Sequence, residues 1–139
     1  MIDRTSSSDL ASTPVVAVRP ELDAMAALYE MYAREVHHLA VVADDDVVGL
    51  VSAAELLQGI AARYPKAAAT VGSLCVVPGP RVEATDGIEV AAQRMIDART
   101  DAVLVVRDGH VCGVLTAVDL VRSIAQGRAA PVEVEGGGR

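Results

Sequence analysis

The 139-residue chain has no tryptophan and no phenylalanine, and aromatic residues make up only 2% of it. Its core must therefore rest on Val, Leu, Ile, Ala and Met, and no platform of aromatic rings is available for stacking bases. Basic residues are also scarce, 12 against 19 acidic ones, for a formal charge of −7. Together these absences argue against nucleic-acid binding. The two cysteines, Cys75 and Cys112, are too few for a disulfide framework and sit in no CxxC or metal-ligand spacing. Reduced thiols in a cytoplasmic protein are expected. No apolar run reaches the ~18 residues that span a bilayer, and MIDRTSSSDL lacks the basic-then-apolar pattern of a secretory signal. The sequence thus predicts no membrane association. The parts of an active site are missing too: there is no nucleophile–base–orienter set, no Walker-type glycine loop and no metal cluster. Neither catalysis nor a cofactor is expected.

What is present is apolar and repetitive. A hydrophobic fraction of 52% excludes disorder through the middle of the chain. The length suits one compact domain or two small units sharing a core. At an offset of 64 residues, Gly49 falls on Gly113, and HHLAVVADDDVVGLVSAAELLQGIA lies over DAVLVVRDGHVCGVLTAVDLVRSIA. Identical pairs include Val41/Val105, Asp44/Asp108, Val47/Val111, Ala53/Ala117, Leu56/Leu120 and Ile60/Ile124; further back Met31 meets Met95.

The elements repeat as well. A short β-branched run, Val15–Val18 or Arg81–Glu83, leads into a helical pattern over Asp23–Arg34 or Gly87–Ala98. Pro20, just before the first helix, suits a helix start. Two apolar strands follow, Leu39–Ala43 with Val47–Val51 and Val103–Arg107 with Val111–Leu115, joined by turn residues Asp44–Asp46 and Asp108–Gly109. A closing helix spans about 53–63 in one unit and 117–126 in the other. Each half is β-α-β-β-α, which makes the fold class α/β in the broad sense (α+β), two repeats packed as a pseudo-symmetric pair. The expected organisation is a mobile N-terminus over 1–7, repeat 1 over 8–63, a crossover with the lead-in to repeat 2 over 64–80, repeat 2 over 81–126 and a disordered tail over 127–139.

The octapeptide GVLTAVDL, Gly113 to Leu120, supports two compatible readings. Thr116 and Asp119 form the pattern of a capping box, in which hydroxyl and carboxylate each satisfy one free backbone N–H. The same helix N-terminus could also hold a phosphate, with a carboxylate one turn in accepting from the hydroxyls of a ribose. The octapeptide alone leaves both open.

With GVLTAVDL and its partner VGLVSAAEL on equivalent positions, the tandem unit resembles a pair of cystathionine-β-synthase-type (CBS) domains over about residues 9 to 126. SDLASTPVVAV and TVGSLCVV resemble the two copies of the lead-in that opens such repeats. The resemblance implies a stand-alone regulatory module, of a kind found in bacteria, that binds an adenosine-containing ligand such as AMP, ADP, ATP or S-adenosylmethionine in clefts between the repeats. Carried onto this chain, Asp119 would hold the ribose and Thr116 would approach the phosphate, with the base near Thr13, Val15 and Val36. A second, weaker site would use Ser52 and Glu55, with Ser73, Val77 and Thr100 around the base. The positions that face phosphate are Asp101 and Ala102 in repeat 2 and His37 and His38 in repeat 1. The resemblance thus gives the Asp119 site an acid where a base is wanted. The Glu55 site gains histidines, but its carboxylate is displaced by a methylene. AMP or S-adenosylmethionine would suit the Asp119 site better than ATP. The competing expectation is a ligand-free interaction module in which both segments only cap helices. A homodimer is expected either way, because the helices carry more apolar positions than one small sheet can cover, and an effector protein is the expected partner of a sensor.

Overall fold

The computed structural model describes residues 5–63 and 69–127. The first four residues, the start of the expected crossover at 64–68 and the tail from 128 onward lie outside the described residues. In chain order the elements are α1 (Ser7–Leu10), β1 (Ala17–Val18), α2 (Ala24–Arg34), β2 (His38–Ala43), β3 (Asp46–Ser52), α3 (Ala53–Arg63), α4 (Val71–Leu74), β4 (Arg81–Glu83), α5 (Ile88–Ala98), β5 (Ala102–Arg107), β6 (His110–Thr116) and α6 (Ala117–Ala125).

Local chemistry sets the repeat. Each hairpin turns on two residues with positive φ, Asp44 and Asp45 in one and Asp108 and Gly109 in the other, the backbone that matches the twist of paired strands. Helices α2 and α5 both stop at a left-handed residue, Glu35 and Arg99, whose N–H groups close back on the last turn. Helix α2 begins one residue after Asp23, whose carboxylate accepts from the N–H groups of Met25 and Ala26. Pro20, expected just before the helix, lies in the turn that precedes it, where its carbonyl accepts from Gly72 N–H.

Each unit holds a three-stranded sheet, β1-β2-β3 or β4-β5-β6, with its first pair parallel and its second antiparallel. One face of each sheet packs on its own helices. Leu39, Val41, Val51 and Leu56 centre the first of these cores, and Val103, Val105 and Leu115 the second. The other faces meet, with Ala40, Leu50, Ala102, Leu104 and Val114 buried between the sheets. The order of layers is helices, sheet, sheet, helices, so neither repeat covers both faces of its own sheet.

The lead-ins exchange partners. The α1 segment precedes repeat 1 but lies on repeat 2: Ser7 and Ser8 donate to the carbonyls of Asp86 and Ala84, and Ser12 bridges Val114 on β6. The α4 segment precedes repeat 2 but lies on repeat 1, with Val76 bridging Leu50 on β3 and Thr70 bridging Asp23. Gly49 and Gly113 make this possible. A Cβ on Gly49 would stand 2.7 Å from the Val76 carbonyl, and one on Gly113 would stand 2.8 Å from Ala11 Cβ. Packing on the repeats also begins before the expected boundary at residue 8. Ser7 is fully buried, held through both its N–H and its hydroxyl to Asp86 O.

One position in the core departs from good polar accounting. Ser123 on α6 is buried and its Oγ has no hydrogen-bond partner. Its counterpart on α3 is Gly59, where an added Cβ would meet the side chain of Leu74. An unpaired buried hydroxyl costs about 1–3 kcal/mol. Ser123→Ala should stabilise the protein by about 1 kcal/mol, read as a rise in the midpoint of urea unfolding with an unchanged slope.

Candidate functional site

The strand-to-helix junctions generate the site. At the end of β6, Thr116 has extended backbone and caps α6. Its Oγ1 accepts from Asp119 N–H at 3.2 Å, while Asp119 Oδ2 accepts from Thr116 N–H at 2.9 Å. The other carboxylate oxygen accepts from Arg122 at 3.1 Å. The first reading of GVLTAVDL, a capping box, is therefore physically present. Ser52 and Glu55 build the same box at α3, with N–H to carboxylate 2.8 Å and N–H to hydroxyl 3.1 Å. The extra methylene of Glu55 is accommodated without loss of either bond.

The two helix starts are tied to the residues that precede β2 and β5. Ala53 N–H donates to His37 O, and Ala117 N–H donates to Asp101 O. This brings the side chains that follow the left-handed residues Glu35 and Arg99 to the seam between the repeats. There His38 Nε2 and Asp101 Oδ1 share a hydrogen bond of 2.9 Å that joins repeat 1 to repeat 2. The His38 side chain is nearly buried and that of Asp101 is largely exposed.

Two clefts open at the seam. The first, about 680 Å³, lies between the N-terminal arm, the start of β2 and the N-terminus of α6. It contains Thr116, Asp119, Val15, Val36 and Asp101 of the residues assigned to the Asp119 site. His37 and His38, assigned from sequence to the Glu55 site, line this first cleft, and so does Ser52. The second cleft, about 770 Å³ and more open, contains Ser52, Glu55, Thr100 and Asp101 against apolar side chains of α5 and α6. Both volumes fall within the ~300–1,000 Å³ typical of small-molecule sites.

Four assigned residues line neither cleft. Ala102 is fully buried between the sheets, where it pairs with Thr116 across β5 and β6. Thr13 is exposed, with its methyl group beside Gly113. Ser73 turns its hydroxyl back onto Thr70 O within α4. Val77 is exposed beside Gly49. Conversely, Arg122 lines the first cleft, and Gln58 and Arg99 line the second. Arg122 was discoverable from spacing, since it stands one turn beyond Asp119 on the same helix face.

Cys75 lies at the end of α4 and packs beside the first core. Burial pushes its thiol up, a backbone hydrogen bond lowers it in part, and the negative charge of Glu55 raises it again. A thiol held in its neutral form is a poor nucleophile at neutral pH.

A pseudo-symmetric pair of repeats, with two ligand-sized clefts at the helix N-termini that flank the seam, defines a tandem-repeat module. A CBS-domain family model matches residues 8–62 and 71–126, and the chain belongs to the CBS-domain family. Among solved structures it is similar to the CBS domain protein PAE2072 of Pyrobaculum aerophilum complexed with AMP. That likeness has 25% identity and a TM-score of 0.77, over 91% of this chain and 100% of that one. It is also similar to the CBS domain pair of protein MJ0100 in complex with 5′-methylthioadenosine and S-adenosyl-L-methionine. Here the identity is 20% and the TM-score 0.78, over 88% of this chain and 98% of that one. No curated protein is significantly similar to the chain. Among the described residues no helix is long and apolar enough to cross a membrane.

Proposed function

We propose that this chain is a non-catalytic regulatory module that binds an adenosine-containing ligand in the first cleft and relays its occupancy to an effector protein. The observation that supports this reading most is the meeting, in one cleft, of the Asp119 carboxylate, the Thr116 hydroxyl and the imidazoles of His37 and His38. The carboxylate is a suitable acceptor for the two ribose hydroxyls, and the hydroxyl, imidazoles and helix N-terminus are suitable partners for a phosphate. Val15 and Val36 supply apolar surface for a purine. Asp101, whose charge argues against ATP, is engaged by His38. AMP is accordingly the ligand we assign first, ahead of ADP, ATP and S-adenosylmethionine. The AMP complex of the relative PAE2072 supports the same choice.

Thermal unfolding with these four compounds tests the reading. A ligand present at a hundred times its dissociation constant adds about 2.7 kcal/mol, which moves the midpoint of a domain this size by several degrees. A shift largest with AMP is expected. If no adenosine compound shifts the midpoint, the reading fails. The completeness of both capping boxes favours a second reading, in which the clefts stay empty and the chain serves as a protein-interaction scaffold.

Under either reading the module is a homodimer. The helices expose Met25, Tyr29, Tyr32, Leu57, Ile96 and Val121, with Tyr32 at 82% of its full exposure. Apolar surface gathered on helices in this way marks an interaction face. Sedimentation at micromolar concentration should give a dimer; a monomer would contradict the assignment.

A further inference from the structure

The ribose clamp is already occupied by the chain itself. Asp119 Oδ2 accepts from Thr116 N–H, and Oδ1 accepts from the Arg122 guanidinium at 3.1 Å. The carboxylate side chain is 13% exposed, so few other partners reach it, whereas that of Arg122 is 57% exposed and free to swing. Both line the first cleft. A ribose that places two hydroxyls on Asp119 needs Oδ1, and the guanidinium must leave it. In the second cleft the residue equivalent to Arg122 is the uncharged Gln58, and among the described residues Glu55 forms no ion pair, although Arg99 lines the same cleft.

We infer that Arg122 is a tethered competitor for the ribose clamp, a specificity-determining residue that lowers the affinity of the first cleft for any ligand lacking negative charge. An uncharged nucleoside must displace the guanidinium and gives nothing back to it. A phosphorylated ligand brings an anion into the cleft to which the released guanidinium is attracted. This rests on the reading of the first cleft as an adenosine site. The exposed ion pair is worth only ~0.2–1 kcal/mol, so the effect on an uncharged ligand is a reduction in affinity of about 1.4- to fivefold.

The decisive probe is adenosine, which carries no charge. Its affinity should ordinarily be insensitive to ionic strength, but here salt weakens the competing ion pair. Calorimetric titration of the full chain with adenosine is expected to show tighter binding as sodium chloride is raised from low to physiological strength. Arg122→Gln, which copies Gln58, is expected to bind adenosine about 1.4- to fivefold more tightly at low salt and to lose the salt dependence. Arg122→Lys keeps the charge and should behave as the wild type does. The preference for AMP over adenosine should shrink in Arg122→Gln. If adenosine binds wild type and Arg122→Gln with equal affinity and equal salt dependence, the competitor role is overturned while the adenosine site stands. If neither protein binds adenosine or AMP, the reading of the cleft itself falls, and the inference with it.

Discussion

Asp119→Ala is expected to weaken AMP binding by at least about a hundredfold while lowering the melting temperature by only a few degrees. The carboxylate would accept from two ribose hydroxyls, and hydrogen bonds to a charged group contribute about 1.5–3 kcal/mol each. Losing both exceeds the ~2.7 kcal/mol that a hundredfold change represents. The structural effect is smaller. Removing one member of a capping box costs about 1 kcal/mol, and the Arg122 contact is a half-exposed ion pair worth less. Glu55→Ala is the matched control, because it breaks an equivalent box on α3 but removes nothing from the first cleft. Calorimetric titration of both variants with AMP, beside their unfolding midpoints, separates binding from stability. Loss of binding in Glu55→Ala and not in Asp119→Ala would transfer the site to the second cleft. Equal, small midpoint losses with no binding by wild type would leave both segments as helix caps.

Leu104→Ala should produce the largest loss of stability, about 2–5 kcal/mol. Leu104 is fully buried in the layer between the two sheets, and its repeat counterpart is the much smaller Ala40. At this pair of positions the volume comes mainly from Leu104, and truncation leaves a cavity that Ala40 cannot close. The side chain also supports the arm that precedes β4, since a Cβ on Gly79 would stand 2.8 Å from Leu104 Cδ1. Denaturant unfolding should show a lower midpoint. A loss below about 1 kcal/mol would mean that the sheets repack freely across the seam.

The periodicity of the sequence carried most of the fold. The β-branched runs, the Asp108–Gly109 turn and the Gly49/Gly113 match locate the central hairpins to within a residue at each end, because those signals are local. The exchange of lead-ins was not legible. Ser12 and Val114 pair from opposite ends of the chain, and no local pattern records a non-local partner. The same limit governed the candidate site. Thr116 and Asp119 were readable from one octapeptide, but the cleft to which His37 and His38 belong depends on how the repeats face one another. The structure gathers these histidines with Asp119 in the first cleft and leaves Glu55 and Thr100 in the second. The charge assigned to Asp101 likewise reads differently once His38 is seen bonded to it across the seam. Ser7 falls within the segment expected to be mobile, and its burial was not legible because it depends on Asp86 in the other repeat.

The exchanged arms impose an order of assembly in time. Repeat 1 receives its closing segment as soon as residues 70–76 have been made, but the arm carrying Ser7 and Ser12 emerges first and must wait for β6, the last strand among the described residues. Contacts between such distant segments form late, because closing the intervening loop is entropically expensive until the rest is in place. Ser12, Pro14 and Val15 on that arm are also a wall of the first cleft. That wall of the first cleft is therefore completed only when the N-terminal arm docks on β6, a contact between segments about a hundred residues apart that is expected to form late.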